Sequence, residues 1–460
     1  MEHEISSQQS QTKLPERLAF GFYFFGQGLI YTLVAQFLLF YYTDYAFLPP
    51  LVISAVMFGG KIWDGINDPL FGIIVDKVRF KSGKRFLPWL KISTIAIPLT
   101  TILLFSIESV PSIGWRIALA ILTYALWDLA YTMSDAPILG LSTTMSSNIK
   151  ERGTLMTFAG AGGAFAMALS AIFLVPVFDK AGFFKASIAI AAIALITMGF
   201  VLIFGRERYY AKEAEQQDSG LSETWHYLIH NRYLLIFFTY RIISGSIAVS
   251  MITYMAKHCL GDVNYVSKVA LFALPMIVLA YIAAPFLMKR FDKIILYRAS
   301  ALLSLGMYLV TFLIGYENST LVVFSMSVIA ALAIIPAILM GVIPQDCVEY
   351  GTFKTGIRKE GITFALQSFV AKLTAAFAAG LTGIFLHLIG YQGELEVQSA
   401  ATIHNIWRVT FLVPMLGQLL AIGFLFAYNL RDRDVQLMSD ANGGKISKDE
   451  ALGLMSREYK

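Results

Sequence analysis

The sequence predicts an all-α membrane protein with about twelve transmembrane helices. Of its 460 residues, 57% are hydrophobic and only 15% are charged, and the mean hydropathy is +0.64. Soluble domains carry charges on roughly a quarter of their residues. Apolar stretches close to the roughly 20 residues that cross a bilayer recur along the chain. Strands of a membrane barrel would instead be runs of about ten residues with alternating polarity, a pattern that this sequence lacks.

The apolar stretches follow one another with short polar connections between them. They cover residues 18–42, 51–75, 88–107, 115–139, 154–177, 182–204, 233–257, 266–288, 296–315, 320–343, 362–388 and 405–428. The longest polar connection separates two sets of six spans. The predicted parts are an N-terminus (1–17), a first six-helix bundle (18–205), a linker (206–231), a second six-helix bundle (232–430) and a tail (431–460). The tail has no apolar period and is expected to be a solvated extension.

Basic residues concentrate in the even-numbered connections, which predicts the orientation of the chain. The second connection alone carries Lys77, Arg79, Lys81, Lys84 and Arg85. Because basic loops stay on the cytoplasmic side, we expect a multi-pass protein of the plasma (inner) membrane with both termini in the cytoplasm. The formal net charge of +5 then anchors the protein to anionic lipid, at about 1 kcal/mol per basic residue. Nucleic acid is not expected as a partner.

Two aspartates lie inside the second apolar span. Asp64 and Asp68 are one helical turn apart and therefore share a helix face. Ionisable groups at membrane depth are costly enough to indicate a functional site. The pair is predicted to hold a cation, with Na⁺ placed at these two carboxylates and protonation as the competing event. The alternative is that the carboxylates only pair with Lys61 or bond to neighbouring helices.

Motifs along most of the chain carry a family resemblance. The run Trp63-Asp-Gly-Ile-Asn-Asp-Pro-Leu-Phe-Gly72 precedes the basic loop Lys81-Ser-Gly-Lys-Arg-Phe-Leu-Pro-Trp89, and Tyr131-Thr-Met-Ser-Asp-Ala-Pro137 lies in the fourth span. These motifs resemble the glycoside-pentoside-hexuronide:cation symporters, the melibiose permease family. The resemblance implies the major facilitator fold, in which two six-helix bundles rock about a central site.

The resemblance also implies a cation site made from the second and fourth spans. The matching positions are Asp64, Asn67, Asp68, Thr132 and Asp135. Binding of the ion among the three carboxylates is expected to relieve their repulsion and to organise the two helices. Lys372, deep in the eleventh span, matches a central lysine of the family and is expected to balance Asp135 when sodium is absent.

The solute site departs from that of the melibiose carriers. The acidic residue of their first helix is replaced by Gly28, the arginine of their fifth helix by Gly160, and a tryptophan of the fourth helix by Leu139. The specificity of a melibiose carrier is therefore not transferred to this chain.

Two unusual charges are candidates to compensate for these losses. Asp128 shares a side of the fourth span with Asp135, and Arg241 lies in the seventh span, where its guanidinium can bind a carboxylate or sulfate through two hydrogen bonds. An internal Asp128–Arg241 ion pair is the alternative. The predicted solute-binding residues are Gln27, Asp128, Asp135, Arg241, Gln367 and Lys372. The two glutamines are candidates for hydroxyl contacts, or simply for bonds between helices.

Together these features predict a secondary active transporter. The expected activity is sodium- or proton-coupled symport of a sugar, glycoside or uronide by alternating access, by a monomer without a cofactor. A carrier of a non-sugar solute, such as a lipid or amino-acid derivative, is the alternative. An enzyme or ATP-driven pump is not expected, because the sequence has no phosphate-binding G-x-x-x-x-G-K-[ST] run and its six histidines lack metal-ligand spacing.

Overall fold

The computed structural model describes residues 12–78, 80–146, 148–208 and 221–456. These residues form helices and connections, and no β-strand occurs within them. The prediction of an all-α protein is therefore confirmed.

The first half of the chain forms six long helices. Three of them have proline in their first turn, where its missing N–H has no intrahelical partner to lose. The helices are α1 (Leu14–Asp44), α2 (Pro50–Lys77), α3 (Leu87–Leu104), α4 (Ile113–Met145), α5 (Ile149–Ala181) and α6 (Phe183–Phe204), with a short 3₁₀ turn at Ile107–Ser109 before α4.

The second half contains shorter pieces as well as long helices. They are α7 (Leu221–His230), α8 (Arg232–Ser246), α9 (Ile252–His258), α10 (Tyr265–Arg290), α11 (Lys293–Ile314), α12 (Ser319–Leu332), α13 (Ile334–Thr355), α14 (Glu360–Leu388), α15 (Ala400–Ala427), α16 (Asp432–Asn442) and α17 (Lys448–Leu454). The pairs α8–α9 and α12–α13 occupy the predicted seventh and tenth spans.

Ten helical segments of the described chain are long and apolar enough to cross a membrane, with Ser319–Thr355 taken as one. The remaining two predicted spans are α2, whose apolar run is interrupted by Lys61, Asp64 and Asp68, and the broken pair α8–α9. The twelve predicted spans therefore all have helices, but the seventh is not continuous. At its break, the Ser250 N–H donates to the Thr382 hydroxyl at 2.9 Å, which satisfies a backbone group that lost its helical partner.

The described residues pack into two compact units. The first contains α1–α6 together with two pieces of the second half, Ala256–Ser267 and Gly383–Ser399. Within it, α1 packs against α5 and α6, α3 against α4 and α6, and α2 against α4. The second unit contains the rest of the second half, where α15 packs against α8 and α11. Its core is rich in buried aromatic side chains, including Tyr233, Phe237 and Tyr428.

The tail is not a solvated extension, and that expectation is wrong for α16 and α17. Val435, Met438 and Ala451 are buried in the core of the second unit, and the Asn442 amide donates to the Glu349 carbonyl oxygen at 2.9 Å. Two short amphipathic helices bury these few apolar residues, a pattern too brief to stand out in the sequence.

Candidate cation and solute site

A hydrogen-bonded chain of three polar side chains joins α2 to α4. The Asn67 amide donates to the Thr132 hydroxyl oxygen at 3.1 Å, and that hydroxyl donates to the Asp68 carboxylate at 3.0 Å. Asn67 and Thr132 are buried, at 5% and 4% exposure. The structure thus brings together three of the five predicted cation-site residues, all of them oxygen-bearing groups inside the membrane spans.

Asp64 pairs with a lysine on its own helix. The Lys61 ammonium lies 3.6 Å from an Asp64 carboxylate oxygen, and both side chains are largely buried. This pairing was the alternative left open by the sequence. A good charge-assisted hydrogen bond is about 2.7–2.9 Å long. At 3.6 Å the Lys61–Asp64 contact is an ion pair without such a hydrogen bond.

Asp135 is held by a glutamine of α1. The Gln27 amide nitrogen donates to the Asp135 carboxylate and to the Ser134 hydroxyl, both at 2.7 Å. Gln27 is 4% exposed. Its amide nitrogen therefore serves as a link between α1 and α4, which was the alternative to direct contact with solute.

The three carboxylates do not share one tight centre. Within the described ranges, no three Asp, Glu, His or Cys side chains come together as a metal-ion site. Each carboxylate has a different partner among its contacts. Asp64 pairs with Lys61, Asp68 accepts from Thr132, and Asp135 accepts from Gln27. Binding of one ion among all three carboxylates stays a prediction, and α2 supplies two of these acids.

Asp128 of α4 is buried near Lys61 of α2. It is 3% exposed, and it lies within electrostatic reach of the Lys61 ammonium, as do the hydroxyls of Tyr31 and Tyr124. Lys61 therefore faces two carboxylates from two helices. A role for Asp128 in binding solute stays a prediction.

An aromatic series runs beside these polar groups. The rings of Tyr31 and Tyr131 are 5.7 Å apart, and those of Tyr131 and Trp127 are 5.2 Å apart. Tyr31 is 46% exposed even though it follows Gln27 by one turn on a mostly buried helix. An exposed ring next to buried hydrogen-bonding groups presents an apolar face beside polar groups.

Close packing explains why Gly28 carries no acid. A Cβ at this position would lie 2.9 Å from the Ala166 Cβ of α5. Small residues allow two membrane helices to approach closely, and here the approach leaves no space for a carboxylate side chain. The loss of the acid found in the melibiose carriers is therefore part of how α1 meets α5.

The remaining predicted residues lie in the second unit. The Arg241 side chain on α8 lies near the Tyr297 hydroxyl of α11. The Gln367 amide on α14 donates to the Met340 carbonyl oxygen at 3.1 Å. Lys372 is half-buried near the middle of α14. Asp128 belongs to the first unit, whereas Arg241 belongs to the second.

A family comparison identifies the class of protein that carries this arrangement. Residues 19–432 match the model of a family described as MFS/sugar transport protein. The chain belongs to the MFS/sugar transport protein family. This confirms the resemblance drawn from the sequence, and it places the chain among membrane transporters and not among enzymes, as predicted.

Three relatives show how far the MFS/sugar transport likeness extends. The uncharacterized symporter YjmB of Bacillus subtilis is 29% identical, covering 94% of this chain and 96% of the relative. An isoprimeverose transporter of Lactiplantibacillus pentosus is 26% identical over 92% and 90% of the two chains. A proposed sulfoquinovose importer of Salmonella typhimurium is 24% identical over 91% and 90%.

Solved structures agree on the fold. A crystal structure of a bacterial homolog of the human lysosomal transporter Spinster has a TM-score of 0.65 to this chain, with 12% sequence identity. The alignment covers 90% of this chain and 97% of that one. At this identity the likeness concerns the fold alone, and it confirms the predicted major facilitator architecture.

Lys61 and Tyr131 are members of this polar region that sequence reasoning did not select. Lys61 was considered only as a pairing partner, although a lysine one turn before Asp64 on a membrane helix is itself a costly charge that calls for a role. Tyr131 belongs to the fourth-span motif that carries the family resemblance. Its spacing of one turn from Trp127 on α4 was the available signal.

Proposed function

We propose that the protein couples the uptake of a sugar, glycoside or uronide to Na⁺ or H⁺ by alternating access. The family description and the names of two relatives, an isoprimeverose transporter and a proposed sulfoquinovose importer, support a sugar-like solute. The observation that carries the coupling is the chain Asn67–Thr132–Asp68 within the membrane spans. Carboxylate, amide and hydroxyl oxygens at such depth match the needs of a small cation that has lost its water.

The geometry favours a role for Lys61 as a replaceable counter-ion. In this structure its ammonium neutralises Asp64 from 3.6 Å. A cation that binds beside Asp64 and Asp68 supplies the same charge and releases the lysine, so that α2 carries an ion instead of an internal pair. Tighter binding of solute to the ion-loaded form then requires, by linkage, equally tighter binding of ion to the solute-loaded form.

Asp68→Cys tests the coupling. Purified protein is reconstituted in liposomes, and uptake of isoprimeverose and of methyl glucuronide is followed with a sodium gradient, a proton gradient or neither. We expect the variant to lose accumulation above equilibrium with every gradient, because the carboxylate that attracts the ion is gone. Asp440→Asn, in the tail, is the matched control and should accumulate solute like the unaltered protein.

Two results would oppose the proposal. Sodium- or proton-driven uphill uptake that persists in Asp68→Cys removes the assigned ion site. Accumulation of neither sugar by the unaltered protein under either gradient favours the non-sugar carrier instead.

Arg241 is proposed to favour acidic sugars. Its guanidinium, which lies near the Tyr297 hydroxyl, can bind a carboxylate or sulfonate through two hydrogen bonds, worth roughly 1.5–3 kcal/mol. Arg241→Gln should therefore reduce uptake of methyl glucuronide by roughly tenfold or more while changing isoprimeverose uptake little. Arg241→Lys keeps the charge and should fall between the two. Equal losses for both solutes would remove the case for acid recognition.

A further inference from the structure

A buried carboxylate collects three hydrogen bonds at the end of α1. Asp44 is the last residue of this helix, and its side chain is fully buried. One of its oxygens accepts from the Lys257 ammonium and from the Tyr391 hydroxyl, the latter at 2.7 Å. The other accepts from the Thr43 hydroxyl at 2.6 Å. Two of the three donors therefore come from the second half of the chain.

Tyr391 also forms a hydrogen bond with His258. The His258 ring nitrogen Nε2 lies 3.0 Å from the Tyr391 oxygen. Because the phenol hydrogen is directed at Asp44, the phenol oxygen accepts from His258. The Lys257 ammonium also lies 5.4 Å from the centre of the Phe40 ring, where a cation is attracted by the ring face. Lys257, His258 and Tyr391 thus form one network around the carboxylate.

Two glycines bring the same pieces of chain against α1 and α2. A Cβ on Gly393 would lie 1.9 Å from the Thr43 carbonyl oxygen, and a Cβ on Gly383 would lie 2.2 Å from the Ser54 hydroxyl. No real Cβ tolerates such distances, so only glycine permits this packing. The glycine contacts are an independent observation on the segment Gly383–Ser399, and the polar network joins this segment and Ala256–Ser267 to α1 within the first unit.

We propose that Asp44, Lys257 and Tyr391 form an outer lock that holds the predicted outward side of the first unit closed in one state of the transport cycle. The connections after α1 and α9 are among those poor in basic residues, which predicts that they face outward. Opening on that side requires the two segments to leave α1 and α2, and so requires these bonds to break. The Asp44 carboxylate is suited to this task, since its side chain is fully buried and depends on these donors for as long as it is shielded from water, and it is resolvated when the segments separate.

The outer lock rests on alternating access but not on the identity of the solute or the ion. It assigns a function to charged and aromatic residues that the proposed symport site does not use. Its test accordingly measures accessibility and needs no transported solute, so a failed uptake assay leaves the result unaffected.

The substitution Ser54→Cys measures opening of the outer lock through the reactivity of the new thiol. Ser54 is 6% exposed and lies against Gly383, so it becomes reactive only when that segment moves away. Ser54→Cys is introduced together with Cys259→Ser, while the buried Cys347 is kept. Labelling by a membrane-impermeant maleimide is measured in vesicles oriented so that the predicted outward side of the protein faces the reagent. We expect slow labelling with the lock intact and labelling about tenfold faster or more after Lys257→Met, Tyr391→Phe or Gly393→Ala.

Two comparisons sharpen the test. Asn264→Ala removes an exposed contact to Asp179, 2.9 Å long, on the same side of the protein, and should leave the rate unchanged, since exposed contacts contribute little. Asp44→Asn combined with Lys257→Met should accelerate labelling by less than the product of the two single effects, because both changes break the Lys257–Asp44 interaction.

The proposal is overturned if Lys257→Met and Gly393→Ala elute as folded protein and label at the original rate, or if Asn264→Ala accelerates labelling as much as they do. Tyr391→Phe removes a single oxygen atom and keeps the test decisive should a stronger substitution prevent folding.

Discussion

A threonine hydroxyl has one hydrogen to donate and lone pairs with which to accept, and at Thr132 both capacities are used. The hydrogen is directed at Asp68, and the oxygen receives the Asn67 amide. The residue therefore orients two neighbouring side chains of α2 from its place on α4. At this scale the candidate ion site consists of a few oxygen atoms whose directions are fixed by one hydroxyl.

Two substitutions of Thr132 distinguish the contribution of the hydroxyl from that of the size of the side chain. Thr132→Val keeps the shape but leaves the Asp68 and Asn67 contacts unmet, which costs about 1–3 kcal/mol for buried polar groups. We expect the sodium or proton concentration for half-maximal uptake to rise roughly fivefold or more. Thr132→Ser keeps the hydroxyl and should remain close to the unaltered protein. An unchanged ion dependence in Thr132→Val would show that the hydroxyl does not support the ion site.

Helices α2 and α4 must approach closely for these side chains to meet. Gly60 provides that approach, since a Cβ there would lie 2.1 Å from the ring of the buried Tyr124. An apolar cavity of about 600 Å³ lies beside this contact and is lined by residues of both helices, among them Leu51, Trp63 and Ile121. The close contact at Gly60 thus helps to set the distance between α2 and α4. The hydrogen bond between Asp68 and Thr132 spans this distance farther along the two helices.

The neighbouring glycine supplies a matched comparison. Gly60→Ala forces the Tyr124 ring to move and should lower the stability by about 1–3 kcal/mol, as overpacked sites do. Gly59→Ala meets no atom within 4 Å and should be neutral or stabilising by up to about 1 kcal/mol, through helix propensity. The unfolding temperature of each variant in detergent checks both values. Equal unfolding temperatures would mean that the α2–α4 contact is looser than the structure shows.

Across the molecule, charged side chains connect elements that are distant in sequence. Lys293, which begins α11, pairs with Asp346 of α13 at 2.7 Å and with Asp432 of α16 at 3.5 Å. The tail helices therefore join two spans of the second unit by polar contacts as well as by buried apolar groups. Both termini are predicted to lie in the cytoplasm, and the tail would then brace the cytoplasmic ends of these spans.

Met438 tests how much the tail contributes to the second unit. It is 0% exposed within the core of that unit, so Met438→Ala should destabilise the protein by about 2–5 kcal/mol. Gln436→Ala, two residues away on the exposed side of α16, should change stability by no more than about 0.5 kcal/mol. Thermal unfolding monitored for both variants gives the comparison. A Met438→Ala protein as stable as the control would return the tail to the role of a loose extension.

Features that depend on local composition and spacing can be predicted from the amino-acid sequence. The number of spans follows from the length of apolar stretches, because the bilayer core has a fixed thickness. The shared face of Asp64, Asn67 and Asp68 follows from helical periodicity alone. Both could be read without knowing which helices are neighbours, and the all-α membrane fold was predicted correctly on that basis. The family was predicted from the resemblance carried by the motifs, such as Trp63–Gly72.

The partner of each polar side chain depends on packing between helices. Gln27 binds Asp135 and Thr132 binds Asp68 because of how α1, α2 and α4 are rotated and spaced against one another. The break between α8 and α9, the burial of Met438 and the enclosure of Asp44 by Lys257 and Tyr391 likewise depend on contacts between residues far apart in the chain. Helical periodicity fixes the face on which a residue lies. The identity of the group it meets is set by packing between helices, which requires the whole folded chain.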